Sequence, residues 1–265
     1  MTIQDQAPAS ASSRLNRAAS IAARAGLALT ILGALALLLS ALGSRWEWWG
    51  FRTGFTVLRA TLYGGLLVIV VVLAGLVLGL LARTGRTLLV SIVSLVLLAA
   101  AAAVPVGHLR AAGRVPPIHD ISTDLDDPPR FVAVLPLRRG APNSAEPGGA
   151  DLAAQQRAGY PDLGPGRFPE APERVFVRAT DVARGLGWEI VAAVPAEGRL
   201  EATDRTRWFG FRDDIVVRVR PDGPGSRVDV RSVSRVGRSD LGTNARRIVR
   251  FLEALRAASP GQAPS

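Results

Sequence analysis

IVVRVRPDGPGSRVDVRSVSR, residues 215–235, is the stretch on which the fold turns. Ile215, Val217 and Val219 alternate with Val216, Arg218 and Arg220, the period of a strand with one face buried. Pro221-Asp222-Gly223-Pro224-Gly225 is turn chemistry, and the run from Arg227 to Arg235 after it completes a hairpin. Upstream, Trp188 to Val194 and Arg199 to Arg205 read as two further strands. Before them, Val175, Ala179, Val182 and Leu186 mark one apolar helical face, opened by prolines near Glu170 and ended by Gly185 and Gly187. Leu241, Ala245, Ile248, Leu252 and Leu255 do the same for a closing helix that starts at Leu241 or Thr243. Helix, four-stranded antiparallel sheet and helix define a two-layer soluble α+β domain over residues 170–258, long enough for a modest core without staples.

Towards the N-terminus the pattern changes. Residues of about 25–42, 60–82 and 87–106 form three apolar runs without an internal charge, each long enough to cross a hydrocarbon core of about 30 Å as a helix. Three transmembrane helices thus precede the α+β domain. Arg14, Arg17 and Arg24 before an apolar stretch ending in Ala41-Leu42-Gly43 also resemble a signal peptide, and cleavage there still leaves two spans. Residues 1–24 read as a disordered cytoplasmic tail, 108–169 as an extended Pro/Gly-rich lead-in wrapping the domain, and 259–265 as a disordered tail.

Positive charge near the spans is balanced, with Arg14, Arg17, Arg24, Arg83 and Arg86 on one side and Arg45, Arg52, Arg59, Arg110 and Arg114 on the other. The dominance of the first helix and the tight Arg83-Thr84-Gly85-Arg86 turn place the N-terminus in the cytoplasm and the C-terminal domain in the periplasm of a multi-pass bacterial inner-membrane protein. Trp46, Trp48, Trp49, Phe51 and Phe55 suit an aromatic belt at the headgroups. A single cysteine at Ser226 with an impermeant thiol reagent tests the side.

The net charge is +10, from 32 basic and 22 acidic residues. Eight arginines against two acids lie before residue 107, so most of the excess flanks the spans, and nucleic acid is not an expected partner. With no cysteine, disulfides, thiolate catalysis and Cys-ligated metal are excluded. His119 with Asp120, Asp124, Asp126 and Asp127 matches no metal-ligand spacing, so neither metal nor cofactor is expected.

IHDISTDLDDPPRFV (Ile118 to Val132), EATDRTRWFGFRDDIVVRV (Glu201 to Val219) and above all RVDVRSVSRVGRSDLGTNARRI (Arg227 to Ile248) resemble the signatures of a bacterial and plastid family, domain of unknown function 1499. The resemblance covers Ile118 to about Leu255, and the RSxSRxGxSDxGxN pattern is long enough to be specific. It implies a small α+β domain, often behind membrane or export segments, and no established activity.

Within that pattern Arg231, Ser232, Ser234, Arg235, Ser239, Asp240 and Asn244 gather at the end of the last strand and the start of the last helix, with Arg218 on the neighbouring strand. One reading is an anion site, since guanidinium forks take carboxylate or phosphate bidentately and a helix N-terminus adds free amides. The other is a salt-laced solvated face, with Ser239 or Asp240 capping the helix and Asn244 stitching a turn. Arg246 and Arg250 read as plain surface. Trp208, Phe209 and Phe211 form an aromatic loop before Asp213 and Asp214. Adjacent strand residues point to opposite faces, so these two acids do not flank one bond as glycoside hydrolysis requires. No catalytic residue set emerges. The expected function is a non-enzymatic module that binds an anionic or amphipathic envelope ligand, a lipid or a partner protein near the bilayer, through the residues above with Trp208, Phe209, Phe211 and Asp214. An envelope lipid- or polysaccharide-acting enzyme using Asp213, Asp214 or Asp240 is the alternative, and a structural subunit packing through Gly64, Gly65, Gly75 and Gly79 the third. On the anion-site reading, Arg231→Ala abolishes binding and leaves the thermal midpoint nearly unchanged.

Overall fold

The computed structural model describes residues 11–259. The described residues divide into two compact units, those up to Gly107 with Trp208–Gly210, and the others.

The first unit holds three helices, α1 (Ala11–Arg45), α2 (Phe51–Leu81) and α3 (Gly85–Ala112), each apolar and long enough to span a membrane. All three outrun the apolar windows read from sequence. The helix of α1 begins at Ala11, so residues 11–24 are helical rather than a disordered tail, and residues 1–10 lie outside the described residues, as do 260–265 of the C-terminal tail. Lipid offers no hydrophobic driving force between helices, so small side chains make the contacts. Buried positions recur at spacings of three or four: Ala19, Ala23, Gly26 and Thr30 on α1, Val72, Gly75 and Gly79 on α2, and Thr87, Ser91 and Ser94 on α3, with Ser40, Ala41, Gly43 and Gly54 buried as well near the α1–α2 turn. A Cβ on Gly26 would sit 2.8 Å from Val72, and one on Gly75 3.0 Å from the Ala23 backbone. Gly75 and Gly79 are thus used inside the chain, whereas Gly64 and Gly65 meet nothing within 4 Å. Thr30, Thr61 and Ser94 donate their hydroxyls to the carbonyl four residues back, which hides them from lipid.

The second unit contains β1 (Asp120–Ser122), α4 (Gly149–Gly159), β2 (Gly166–Phe168), α5 (Pro172–Gly185), β3 (Glu189–Val194), β4 (Arg199–Arg205), β5 (Arg212–Asp222), β6 (Gly225–Ser234) and α6 (Thr243–Ala257). The four strands expected from sequence form the meander β3 to β6, and the hairpin closes more tightly than the turn residues suggest, with Asp222 opposite Gly225. The lead-in adds what periodicity does not reveal. Two three-residue strands, β1 and β2, pair antiparallel with β6 end to end, extending the sheet to six strands in the order β1-β6-β5-β4-β3 with β2 also on β6. Three residues are too few to display an alternation. The free edge of β1 is closed by one side chain: Gln156 of α4 accepts from Ser122 N at 2.9 Å and donates to Ser122 O at 2.6 Å, standing in for a further strand.

One face of the sheet carries the main core. Leu200, Ala202, Ile215, Val217, Val219, Val228 and Val230 meet Val175, Phe176 and Ala179 of α5 and Ile248, Phe251, Leu252 and Leu255 of α6. Trp188 stacks on Phe251 with ring centroids 5.0 Å apart. Burial of each large side chain contributes about 1.5–3 kcal/mol. The opposite face was expected to be half-solvated, and here the structure departs from the sequence reading. Residues 123–139 lie across it, so β4, β5 and β6 are buried on both sides, with a small apolar cluster of Phe131, Val134, Val216 and Val233 among the charges.

Candidate functional site

The arginines that alternation places on one face of β6 do lie together there, and the segment laid over them supplies their counter-charges. Arg231 is 0% exposed. Its guanidinium grips Asp120 with Nε–Oδ1 and Nη2–Oδ2 both 2.8 Å, donates to Pro129 O and lies 5.3 Å from the Phe131 ring centre. A bidentate pair of this kind is among the stronger charge-assisted contacts. Arg235 forks onto Asp214 at 2.9 and 2.8 Å, and Asp214 also receives Arg138 at 2.6 Å and Thr203 at 2.7 Å. Burial by itself would raise the Asp214 pKa, and the hydrogen bonds from Arg235, Thr203 and Arg138 hold it below the ordinary carboxylate value instead. Towards the hairpin, Arg218, Arg220 and Arg227 all reach one oxygen of Asp124, at 3.1, 2.9 and 2.9 Å, with Asp127 and Asp229 beside it. Asp124 titrates below its ordinary value, since the amides of Asp127 and Asp126 and the charges of Arg227 and Arg218 outweigh burial.

Glu201, fully buried on β4, accepts the backbone amides of Val132, Ala133 and Val134 at 2.9–3.1 Å. It fastens the covering segment to the sheet, and Asn143 adds bonds to Ser234 O and Gly237 O.

The serines and Asn244 belong to the other face. Ser232 donates to Asn244 Oδ1 at 2.7 Å, and Asn244 Nδ2 donates to Ser234 at 3.0 Å and to His119 O at 2.9 Å. Arg247 joins this cluster to Asp213 at 2.7 Å and Asp204 at 2.8 Å. Burial pushes the Asp213 carboxyl up despite Arg247. Asp240 accepts the amides of Gly242 at 2.9 Å and Asn244 at 2.6 Å, and Ser239 accepts that of Leu241, so both serve the start of α6. Burial also pushes Asp240 up, above what those amide bonds restore.

The sheet therefore divides the residues nominated from sequence. Arg218, Arg231, Arg235 and Asp214 lie beneath the covering segment, while Ser232, Ser234, Ser239, Asp240 and Asn244 lie on the helix side. Asp213 and Asp214 face opposite ways, as strand geometry requires. Trp208 and Phe209 group with the first unit, where Phe209 stacks on Phe55 at 4.9 Å, and Phe211 bonds its amide to Thr206. Arg231 is not free to be removed at no cost in stability, because its loss leaves Asp120 buried without a cation. Among the described residues no cluster of three or more His, Asp or Glu is placed to hold a metal, and Asp120 and Asp124 are committed to arginines.

Sequence reasoning weighed Asp120 and Asp124 only as metal ligands and missed Arg138, Glu201 and Arg247; all five complete these networks. Their signal is charge complementarity: the acids of ISTDLDD stand upstream of strands rich in arginine. A comparison with curated proteins finds no match. A family model matches residues 120–255, from Asp120 through the covering segment, the meander and α6, so it takes in both halves of the networks described above. The chain therefore belongs to the family described as Protein of unknown function (DUF1499).

Proposed function

We propose that this chain is a non-enzymatic membrane-anchored binding module, placed in a bacterial inner membrane with its α+β domain on the periplasmic side, where it takes an anionic or amphipathic envelope ligand or a partner protein. The observation that carries this reading is the commitment of Asp213, Asp214 and Asp240. Each is held by Arg247, by Arg138 and Arg235, or by the amides of α6, leaving none poised as a general acid or base against an open substrate position. The domain then serves as a rigid platform joined to three apolar helices.

Native mass spectrometry of the full-length protein, released gently from its own membrane, tests the reading. A stoichiometric adduct of defined mass supports it, a bare protein shifts the weight to a partner protein or a structural role, and a bare protein with which nothing co-purifies overturns it. Sidedness needs a probe site other than Ser226, which is 1% exposed and donates its hydroxyl to Glu170 O. Ala150, exposed in α4, replaces it. An Ala150→Cys protein labelled by an impermeant reagent in intact cells supports the periplasmic placement, and labelling only after lysis overturns it. Gly64 and Gly65, open on α2, favour the structural-subunit reading as the second, and co-purification that survives deletion of residues 115–265 would establish it.

A further inference from the structure

Beside α6 the second unit has an open cleft of about 280 Å³, walled by Val115, Tyr160, Ala245, Arg246, Val249 and Arg250. Its chemistry is two-sided. Val115, Ala245 and Val249 make an apolar wall, and Val249 is 42% exposed although Ile248, Phe251, Leu252 and Leu255 of the same helix are buried. Arg246 and Arg250 stand at the rim against one carboxylate, Glu253. Arg246 bonds only to Leu241 O, just before its helix, and to Thr243 Oγ1 at the helix start, and Arg250 has no side-chain partner among the described residues. These cations contrast with the arginines of the sheet, every one of which discussed above is answered by an acid.

The Tyr160 hydroxyl oxygen is buried and makes no hydrogen bond, which is unusual for a buried polar group and marks a donor without an acceptor. Burial, and then the charge of Asp240, raise the Tyr160 pKa, so the hydroxyl keeps its proton at neutral pH. Gly242 lies under these groups with φ +75°. A Cβ there would stand 2.9 Å from Arg246 Nη1, 3.3 Å from the Tyr160 oxygen and 3.4 Å from Val115, so the absence of a side chain keeps the cleft open. In the chain, Arg114 immediately precedes Val115, three residues beyond the end of α3, and Arg110 lies in the last turn of that helix.

We propose that this cleft binds an anionic amphiphile, its phosphate or carboxylate on Arg246, Arg250 and Tyr160 and the first carbons of its apolar stem along Val115, Ala245 and Val249. The inference deepens the binding-module reading and rests on it. The volume lies just under the range usual for small-molecule sites, which suits a headgroup with a few methylenes rather than a whole diacyl lipid. Guanidinium forks match either oxyanion, and an apolar wall beside them selects against a free inorganic ion. The same chemistry is offered by a membrane phospholipid and by a free acyl acid.

The test uses delipidated full-length protein in neutral detergent, titrated with dihexanoyl phosphatidylglycerol, its phosphatidylcholine analogue, decanoate and inorganic phosphate, and read by native mass spectrometry. Wild type is expected to retain phosphatidylglycerol or decanoate, but neither phosphatidylcholine nor phosphate. Binding of phosphatidylglycerol alone names a lipid headgroup as the source, and binding of decanoate names an acyl acid. Arg246→Glu/Arg250→Glu should weaken retention at least tenfold with an unchanged thermal midpoint, since neither side chain holds an acid in the fold. Val249→Asp, which keeps both cations, should weaken it as well. Retention equal in wild type and both variants places the amphiphile on the spans and overturns the cleft, while leaving the binding-module reading standing. Inorganic phosphate held as well as phosphatidylglycerol overturns the amphiphile. Neither an adduct nor a co-purifying partner on protein from its native membrane overturns the binding-module reading itself.

Discussion

Arg231→Met isolates the charge pair at the centre of the covered sheet face. Arg231 and Asp120 are both buried and joined by two 2.8 Å hydrogen bonds, and no other cation is within bonding reach of that carboxylate among the described residues. Removing the guanidinium leaves an uncompensated buried acid, a loss of about 3–5 kcal/mol. The missing bond to Pro129 O and the lost contact with the Phe131 ring act in the same direction. With a urea m-value of about 2 kcal/mol/M, the midpoint should fall by about 2 M. Pulse proteolysis of the full-length protein in micelles, followed across a urea series, measures that midpoint for the sheet domain. Asp120→Asn should fall by a similar amount because it strands the arginine. The double variant Asp120→Leu/Arg231→Met should recover most of the loss, since an apolar pair of similar volume often replaces a buried ion pair at little cost. A midpoint for Arg231→Met within about 0.3 M of wild type would refute the buried pairing, and equal losses in the single and double variants would refute the coupling.

Three further outcomes are expected. Glu201→Gln weakens three amide bonds at once, by about 2 kcal/mol in all, and hydrogen exchange should quicken at residues 132–134 while the β5–β6 amides stay protected; uniform quickening would contradict a local clasp. Asn244→Ala, which unties Ser232, Ser234 and His119 O, should cost at least about 2 kcal/mol, and a change under about 0.5 kcal/mol would show the cluster to be solvated. The pH profile should pass through a maximum. Asp213 and Asp240 have folded pKa values raised above their unfolded ones, so the folded state takes up protons first and stability increases as pH falls from neutral towards their unfolded value of 3.8. Asp214 and Asp124 have depressed folded values, so the stability they contribute above 3.8 is lost as pH falls below it. A urea midpoint that decreases steadily from pH 7 downwards, or a rise that persists in Asp213→Asn/Asp240→Asn, would contradict this assignment.

The apolar runs could be read from composition because a membrane span needs only length and hydropathy, although the helix ends could not: the helices continue to Ala11, Arg45 and Ala112 through arginine-bearing turns that an apolar window leaves out. The meander and its two helices were legible for a similar reason. Each has a period, two for Ile215-Val217-Val219 and three to four for Val175-Ala179-Val182, that survives without knowledge of neighbours. The family pattern from Arg227 to Ile248 was equally plain, and so was the opposition of Asp213 and Asp214.

What those residues do was decided by residues far away in the chain. Arg231 is an open anion fork or a buried structural cation depending on whether Asp120, 111 positions earlier, lies against it. Asp120 belongs to a three-residue strand with no pattern of its own, and Glu201, already paired with Arg199, becomes a clasp because residues 132–134 turn their amides towards it. Arg246 and Arg250 show the converse: they look like ordinary helix surface until Val115 and Tyr160, from two irregular segments, are brought beside them. Periodicity reports which face of an element is apolar, so the sequence by itself determined the meander, its two flanking helices and the apolar spans, but not β1, β2 or α4. Which charges meet is a property of long-range contacts that leave no local period, so only the tertiary structure decided which arginines are answered by an acid and which, like Arg246 and Arg250, are not.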